Sequence, residues 1–249
     1  MITKQLHESI RYKSFEILTS IQNEMKHDTL YETLQIHQAY SSQDQEYEKN
    51  EFYGDSYLEE RISSLVLQLL RKYEDIPIEI YSSLRIHSVK NQTLGEIFDA
   101  LHLGDSKIFE KKNKGDLVES LIGGCVLISQ QKDGNKLFLL YALALIDFIF
   151  YHSCYIFFNS NHLKNMKEIV LNDITIWFKD QLKYYSDLLQ IYLHHPDKFT
   201  IEEQFISVDL FTQKDHNEIG DGNDIDSLLE STLPLDFGIE CSSSEEDDD

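Results

Sequence analysis

Proline and glycine are scarce: 3 Pro and 10 Gly in 249 residues. A sandwich or barrel with many tight turns needs more of both, and a disordered chain would be richer in proline, so neither fits. The three cysteines, Cys125, Cys154 and Cys241, lie far apart with no CxxC spacing. That excludes a disulfide framework and a cysteine-rich zinc site, and it fits an intracellular, reducing compartment, cytoplasmic or nuclear. Positive charge is short as well. Against 44 Asp+Glu stand 22 Lys+Arg, a net −22, which excludes a generally basic, charge-driven nucleic-acid binder but not a local basic patch. The opening residues, MITKQLHESIRYK, lack the apolar stretch of a signal peptide. Only one hydrophobic run is long. LFLLYALALIDFIFYHSCYIFF, residues 137–158, could span a bilayer at about 20 residues. Asp147 near its middle would cost roughly 2.5–3.5 kcal/mol there, and His152 and Ser153 weaken it further. The run is read as a buried core helix, and no membrane partner is expected.

What remains is rich in Leu, Ile, Gln, Glu and Lys, in long unbroken stretches that favour an all-α fold. Ile10, Ile17, Leu18, Ile21 and Met25 recur at helical spacing, and a break at His27-Asp28 leads to a second helix carrying Leu30, Leu34 and His37. Residues 46–72 carry one apolar stripe through Phe52, Leu58, Ile62, Leu65, Val66 and Leu69. Pro77 suits the start of the next helix. Residues 92–103 form another, stopped by Gly104; residues 107–114 are a lysine-rich connector, and residues 117–128 an apolar helix despite Gly123-Gly124. Beyond Asn159, Ile169, Ile174, Trp177, Leu182, Tyr185, Leu188 and Tyr192 mark two further helices, ended by Pro196, and residues 199–211 are ambiguous between helix and strand.

The negative charge is unevenly placed. Thirteen acids and no Lys or Arg fall in residues 215–249, so the first 214 residues hold 31 acids against 22 bases, a net −9. A segment so charged and so poor in aromatics is expected to be disordered. It reads either as a tether for a protein partner, through LLESTLPLDF at 228–237, or as a solubility tail.

The chemically informative stretch is EKNEFYGDS. On a helix, Glu48, Glu51 and Asp55 stand at i, i+3 and i+7, so three carboxylates share a face. Asp116 and Glu119 repeat the i, i+3 pattern beside the apolar positions Leu117, Leu121 and Ile122. Like charges so placed destabilise a bare helix by a few tenths of a kcal/mol per pair, a cost that a bound cation reverses. Hard oxygen ligands suit Mg²⁺, with Mn²⁺ as a substitute. Gly54, in mid-helix, costs about 1 kcal/mol, which points to close approach of another helix or of substrate. The solvated face of an acidic helix is the plainer account of each pattern taken alone.

Both patterns together, in this order, resemble the ribonuclease III family. EKNEFYGDS is similar to the family's ERLEFLGDS signature, matching at Glu48, Glu51, Phe52, Gly54, Asp55 and Ser56, with Asn50 and Tyr53 in place of leucines. KGDLVESLIGG is similar to the second motif, in its Dicer-like form at Gly115-Asp116 and Glu119-Ser120. RIHSVKNQTLGEIFDALHLGDS is similar to the stretch between them, and LYETLQIHQAYSS to the short helix upstream. The resemblance covers roughly residues 30–151. It implies a ribonuclease III endonuclease domain over residues 1–155, an additional C-terminal helical region over 156–213 and the acidic tail over 214–249. Nothing after Asn159 resembles a double-stranded-RNA-binding domain.

The activity so implied is double-strand-specific endoribonuclease cleavage by two-metal catalysis, leaving 5′-phosphates, 3′-hydroxyls and short 3′ overhangs, as in small-RNA processing. The resemblance assigns the metals to Glu51, Asp55, Asp116 and Glu119, with Asp55 and Glu119 as the catalytic pair. Glu48 would support them from the edge or contact the ribose. It also implies a homodimer in which Phe52 inserts into the partner; periodicity alone allows Phe52 to be an ordinary core residue. Lys107, Lys111, Lys112 and Lys114 are read as phosphate contacts or as a solvated loop, and Lys164, Lys167, Lys179 and Lys183 as a second basic stripe or a solvated helix face. A protein of this fold that binds structured RNA without cutting it is the alternative.

Overall fold

Uninterrupted helix formers give helices, and a computed structural model of the chain contains no strand among its described residues, which are 4–34, 45–73, 76–103, 111–132, 134–160 and 167–201. The expected acidic tail, His37, Lys107, Lys164 and most of residues 199–211 lie outside that set. Among the described residues seven α-helices follow in order: α1 (Lys4–Met25), α2 (Gln45–Leu70), α3 (Ile78–Val89), α4 (Asn91–Ala100), α5 (Lys111–Gln130), α6 (Lys136–Ser160) and α7 (Lys167–His194).

The break at His27-Asp28 is where it was expected, but Thr29–Leu34 is a short 3-10 helix rather than an α-helix. Asp28 opens it by accepting the backbone N–H of Leu30 on its carboxylate (2.9 Å). Pro77 caps α3 from just outside it. Helix α5 begins at Lys111, so the stretch expected as a lysine-rich connector supplies its first turn. Residues 167–194 make one helix instead of two. They contain neither Pro nor Gly, and the apolar spacing from Val170 to Leu189 never breaks.

Helix α6 is the centre of the molecule. Apolar nearly all round, with Phe148, Phe150 and Phe158 at 0% exposure, it is covered by α1, α3, α5 and α7. Burying each such phenylalanine is worth roughly 1.5–3 kcal/mol. It is also the one described helix long and apolar enough to cross a membrane, but that whole apolar window is buried inside the protein. Asn135 fixes its start. Its side-chain oxygen accepts the N–H of Leu137 (2.9 Å) while its amide donates to Asp28 and to the Tyr192 hydroxyl (3.1 Å each), tying the ends of α1 and α7 to the cap. All described residues fall within one compact unit, Met1–Thr212. Helix α6 runs unbroken past residue 155, the expected limit of the nuclease domain, to Ser160.

Candidate metal centre

Helices α2 and α5 cross with their backbones in contact. A Cβ on Gly54 would stand 1.8 Å from the backbone oxygen of Glu119, and one on Gly123 would stand 1.9 Å from that of Asn50. No side chain fits at either position, which accounts for the mid-helix glycine. The crossing sets the carboxylate faces of the two helices against each other. Glu51, Asp116 and Glu119 come together, with one carboxylate oxygen from each lying within 4.8 Å of the others. Glu119 is 7% exposed, while Glu51 and Asp116 are half-buried.

Burial is the main cause that pushes the Glu119 carboxyl up to about 8, and the neighbouring charges of Asp55, Asp116 and Glu51 add to it. Asp55 lies outside the close group of three, exposed on the next turn of α2, and its own carboxyl is raised by burial and by Glu59. Its charge nevertheless acts on Glu119. Glu48 is exposed and apart from the group.

Three residues that the spacing does not single out shape the centre. Tyr47, one turn before Glu51, has its hydroxyl pKa raised by burial and then by the charges of Glu51, Asp116 and Glu119. Asn91, the first residue of α4, donates its amide to Asp116 (3.3 Å). Its side chain also lies against Gly115, where an added Cβ would come within 2.8 Å of the amide oxygen. Asp99 grips Lys114 through both carboxylate oxygens (2.7 and 2.8 Å).

That last contact corrects one reading. Lys114 is 7% exposed and committed to Asp99, so it is not a phosphate-contacting cation on the surface. Lys111 and Lys112 open α5, with their side chains outside the described set. Phe52 is not a core residue. It is 77% exposed on α2, with Ser56, also exposed, one turn away. Cys125 is a small core residue, with its thiol pKa pushed up by burial.

Asp147 is held far from this centre in kind. It accepts the Tyr185 hydroxyl (2.5 Å), and the Arg61 guanidinium stands 3.6 Å from its other oxygen. The sequence marks Asp147 only as a charge within an apolar run, and neither partner is named there. The spacing signal existed: Arg61 follows Leu58 and precedes Ile62 on the buried side of α2.

Three carboxylates converging with a buried member form a hard-oxygen donor set that could hold a metal ion. No protein-family model matches the chain, and no curated protein matches it.

Proposed function

We propose that the protein is a metal-dependent endoribonuclease that hydrolyses double-stranded RNA. The single observation behind this reading is the meeting of Glu51, Asp116 and Glu119 at the Gly54–Gly123 crossing, in residues that resemble both ribonuclease III motifs. Glu51, Asp116 and Glu119 would hold Mg²⁺, with Asp55 joining them from the rim. Bound there, the ion would lower the pKa of a water and stabilise charge on the reacting phosphate. The protein's own groups position: Asn91 orients the Asp116 carboxylate, and the glycine crossing fixes the spacing of the ligands.

One such site cuts one strand, and two strands call for a homodimer. A 77% exposed phenylalanine on the same helix as Glu51 and Asp55 supports self-association through Phe52. Phe52→Asp should keep the helical content and give monomers by light scattering, and a wild-type monomer would remove the shared-groove arrangement. We place the activity in the cytoplasm or nucleus, where the buried free thiols of Cys125 and Cys154 stay reduced.

The deciding experiment incubates the pure protein with long duplex RNA and Mg²⁺ and sizes the products, with single-stranded RNA and metal-free buffer as controls. Metal-dependent cleavage of the duplex into short 5′-phosphorylated fragments is expected. Binding without cleavage would return the non-cutting alternative.

A further inference from the structure

Three histidines from three helices meet around α6: His7 of α1, His87 of α3 and His152 of α6 itself. The His7 ring lies parallel to that of Tyr155, with centroids 3.6 Å apart, and 5.4 Å from that of His152. Its Nδ1 is 3.2 Å from the Tyr151 hydroxyl. His152 contacts Phe148 and His87 contacts Phe157, so each ring sits among aromatics. His7 is 4% exposed and the other two are half-buried. Among the described residues, Nδ1 of His152 and Nε2 of His87 are buried with no hydrogen-bond partner.

A positive charge is poorly provided for here. Two acids act on the rings. Glu8 of α1 is held by Arg11 (2.8 Å), and Glu96 of α4 is exposed and bonded by Gln92 (3.2 Å). Arg11 opposes protonation of His7 and His152, Lys90 opposes that of His87, and the imidazoles oppose one another. From α6, Tyr151 and Tyr155 bring phenol rings rather than carboxylates, and α7 meets the cluster with Phe178, stacked on Tyr151. In the neutral tautomers that leave the partnerless nitrogens bare, a proton added to His152 or His87 makes a buried N–H with no acceptor. The helix that covers the cluster is also unevenly anchored. The first half of α1 buries His7, Ile10 and Ser14; the second half buries Ile17, Leu18, Ile21 and Met25.

We propose that the histidine cluster is an acid-operated latch: on acidification its rings take up protons and the first half of α1, residues 4–14, lifts from α6 while the rest of the helix stays packed. Lifting uncovers Tyr151, Tyr155 and His152 and returns the His7 ring to water. Burial, and then His152, hold that ring down to about 4 while it is packed, against 6.5 for a solvated imidazole. Its contribution to the packed state is complete above 6.5 and is lost as pH falls towards 4. Between pH 7 and pH 5 these two values shift the balance towards the lifted state by about twentyfold. His152, also lowered chiefly by burial, adds to the shift.

Amide hydrogen exchange on the full chain in chelator, corrected for the intrinsic pH dependence of exchange, tests the latch. From pH 7 to pH 5 the opening equilibrium of amides 8–14 should rise at least about tenfold, while amides 17–25 and those of α6 lose no protection. His7→Gln, which has no ring to charge, should remove most of that rise. The His7 imidazole of the wild-type chain, followed by NMR, gives a reading that needs no variant: its titration midpoint should lie below about 5.5. A midpoint at the ordinary histidine value overturns the proposal. So does a rise shared by every helix, or one that His7→Gln leaves unchanged.

Discussion

Among the described residues two carboxylates are buried, and they are treated in opposite ways. Asp147, at 0% exposure, meets the Arg61 guanidinium and the Tyr185 hydroxyl. Burial still raises its pKa, but both partners pull it back down. Glu119, at 7% exposure, lies among the charges of Asp55, Asp116 and Glu51, all of which raise it further. The fold supplies a cation from its own chain in the first case and packs acids together in the second. A buried charge is tolerated when it is paired. The difference therefore separates a closed network, joining α2, α6 and α7, from a cluster of acids in which burial and neighbouring carboxylates keep Glu119 protonated well above the ordinary carboxylate range.

The largest effect that sharpens this contrast is expected at the closed network. Asp147→Asn removes the charge that faces Arg61, whose side chain is only 14% exposed. Stranding one member of a buried pair costs about 3–5 kcal/mol, so the melting temperature should fall by on the order of 10 °C. A loss below about 1 kcal/mol, the range of exposed pairs, would break the comparison.

Next comes the crossing that makes the acidic group. Gly54→Ala puts a methyl 1.8 Å from a backbone oxygen, so the helices must separate. Overpacking of this kind costs about 1–3 kcal/mol, and Glu51 would move away from Asp116 and Glu119. Mg²⁺ affinity, measured by calorimetry, should drop together with stability. A variant that melts lower yet binds Mg²⁺ as before would detach the crossing from the metal centre.

Glu119→Gln is expected to act on function and hardly on the fold. Removing a metal ligand should lower duplex-RNA cleavage at least about a hundredfold, beyond what loss of an outer-shell partner does. Because Gln has no proton that the unfolded state would release, the metal-free variant should melt at the same temperature or slightly higher. The contrast is in the sign: neutralising Asp147 destabilises, neutralising Glu119 does not. Equal destabilisation would make Glu119 a structural residue.

The acidic centre was largely legible because helical periodicity places Glu51 and Asp55 on one face and Asp116 with Glu119 on another, and Gly54 marks a close approach. Helix α6 was legible from its unbroken apolar run and the interrupting Asp147. The missing parts are those in which residues distant in sequence meet. Arg61 finds Asp147 only because α2 crosses α6, Asn91 reaches Asp116 because α4 packs on α5, and Lys114 is spent on Asp99 for the same reason. Local spacing also misplaced the start of α5, where lysines taken for a loop are good helix formers. It divided α7 in two although no breaker separates the halves.

The smallest net effect is in the pH dependence, because two groups oppose each other. Glu119 titrates at about 8 in the folded chain against an ordinary value of 4.5. Across that interval the native state holds a proton that the unfolded state has released, so this group's contribution is complete below 4.5 and is lost as pH rises towards 8. His7 behaves the other way. Buried against Tyr155, with its ring stacked at 3.6 Å and its Nδ1 3.2 Å from the Tyr151 hydroxyl, it is lowered to about 4 from 6.5. Burial is the chief cause and His152 adds to it, Glu8 opposes, and Arg11 adds slightly. Its contribution is complete above 6.5 and is lost as pH falls towards 4. Between 4.5 and 6.5 these two slopes partly cancel; above 6.5 that of His7 has ended and that of Glu119 continues. Melting curves in chelator should therefore show the Glu119→Gln variant gaining on the wild type from pH 4.5 to about 8, and added Mg²⁺ should erase that gain at the alkaline end. His7→Gln should differ most from the wild type above pH 6.5, with the gap closing as pH falls. A gain for Glu119→Gln that stays flat with pH would mean that its carboxyl titrates as a solvated group, and the centre would then lack the buried charge that calls for a metal.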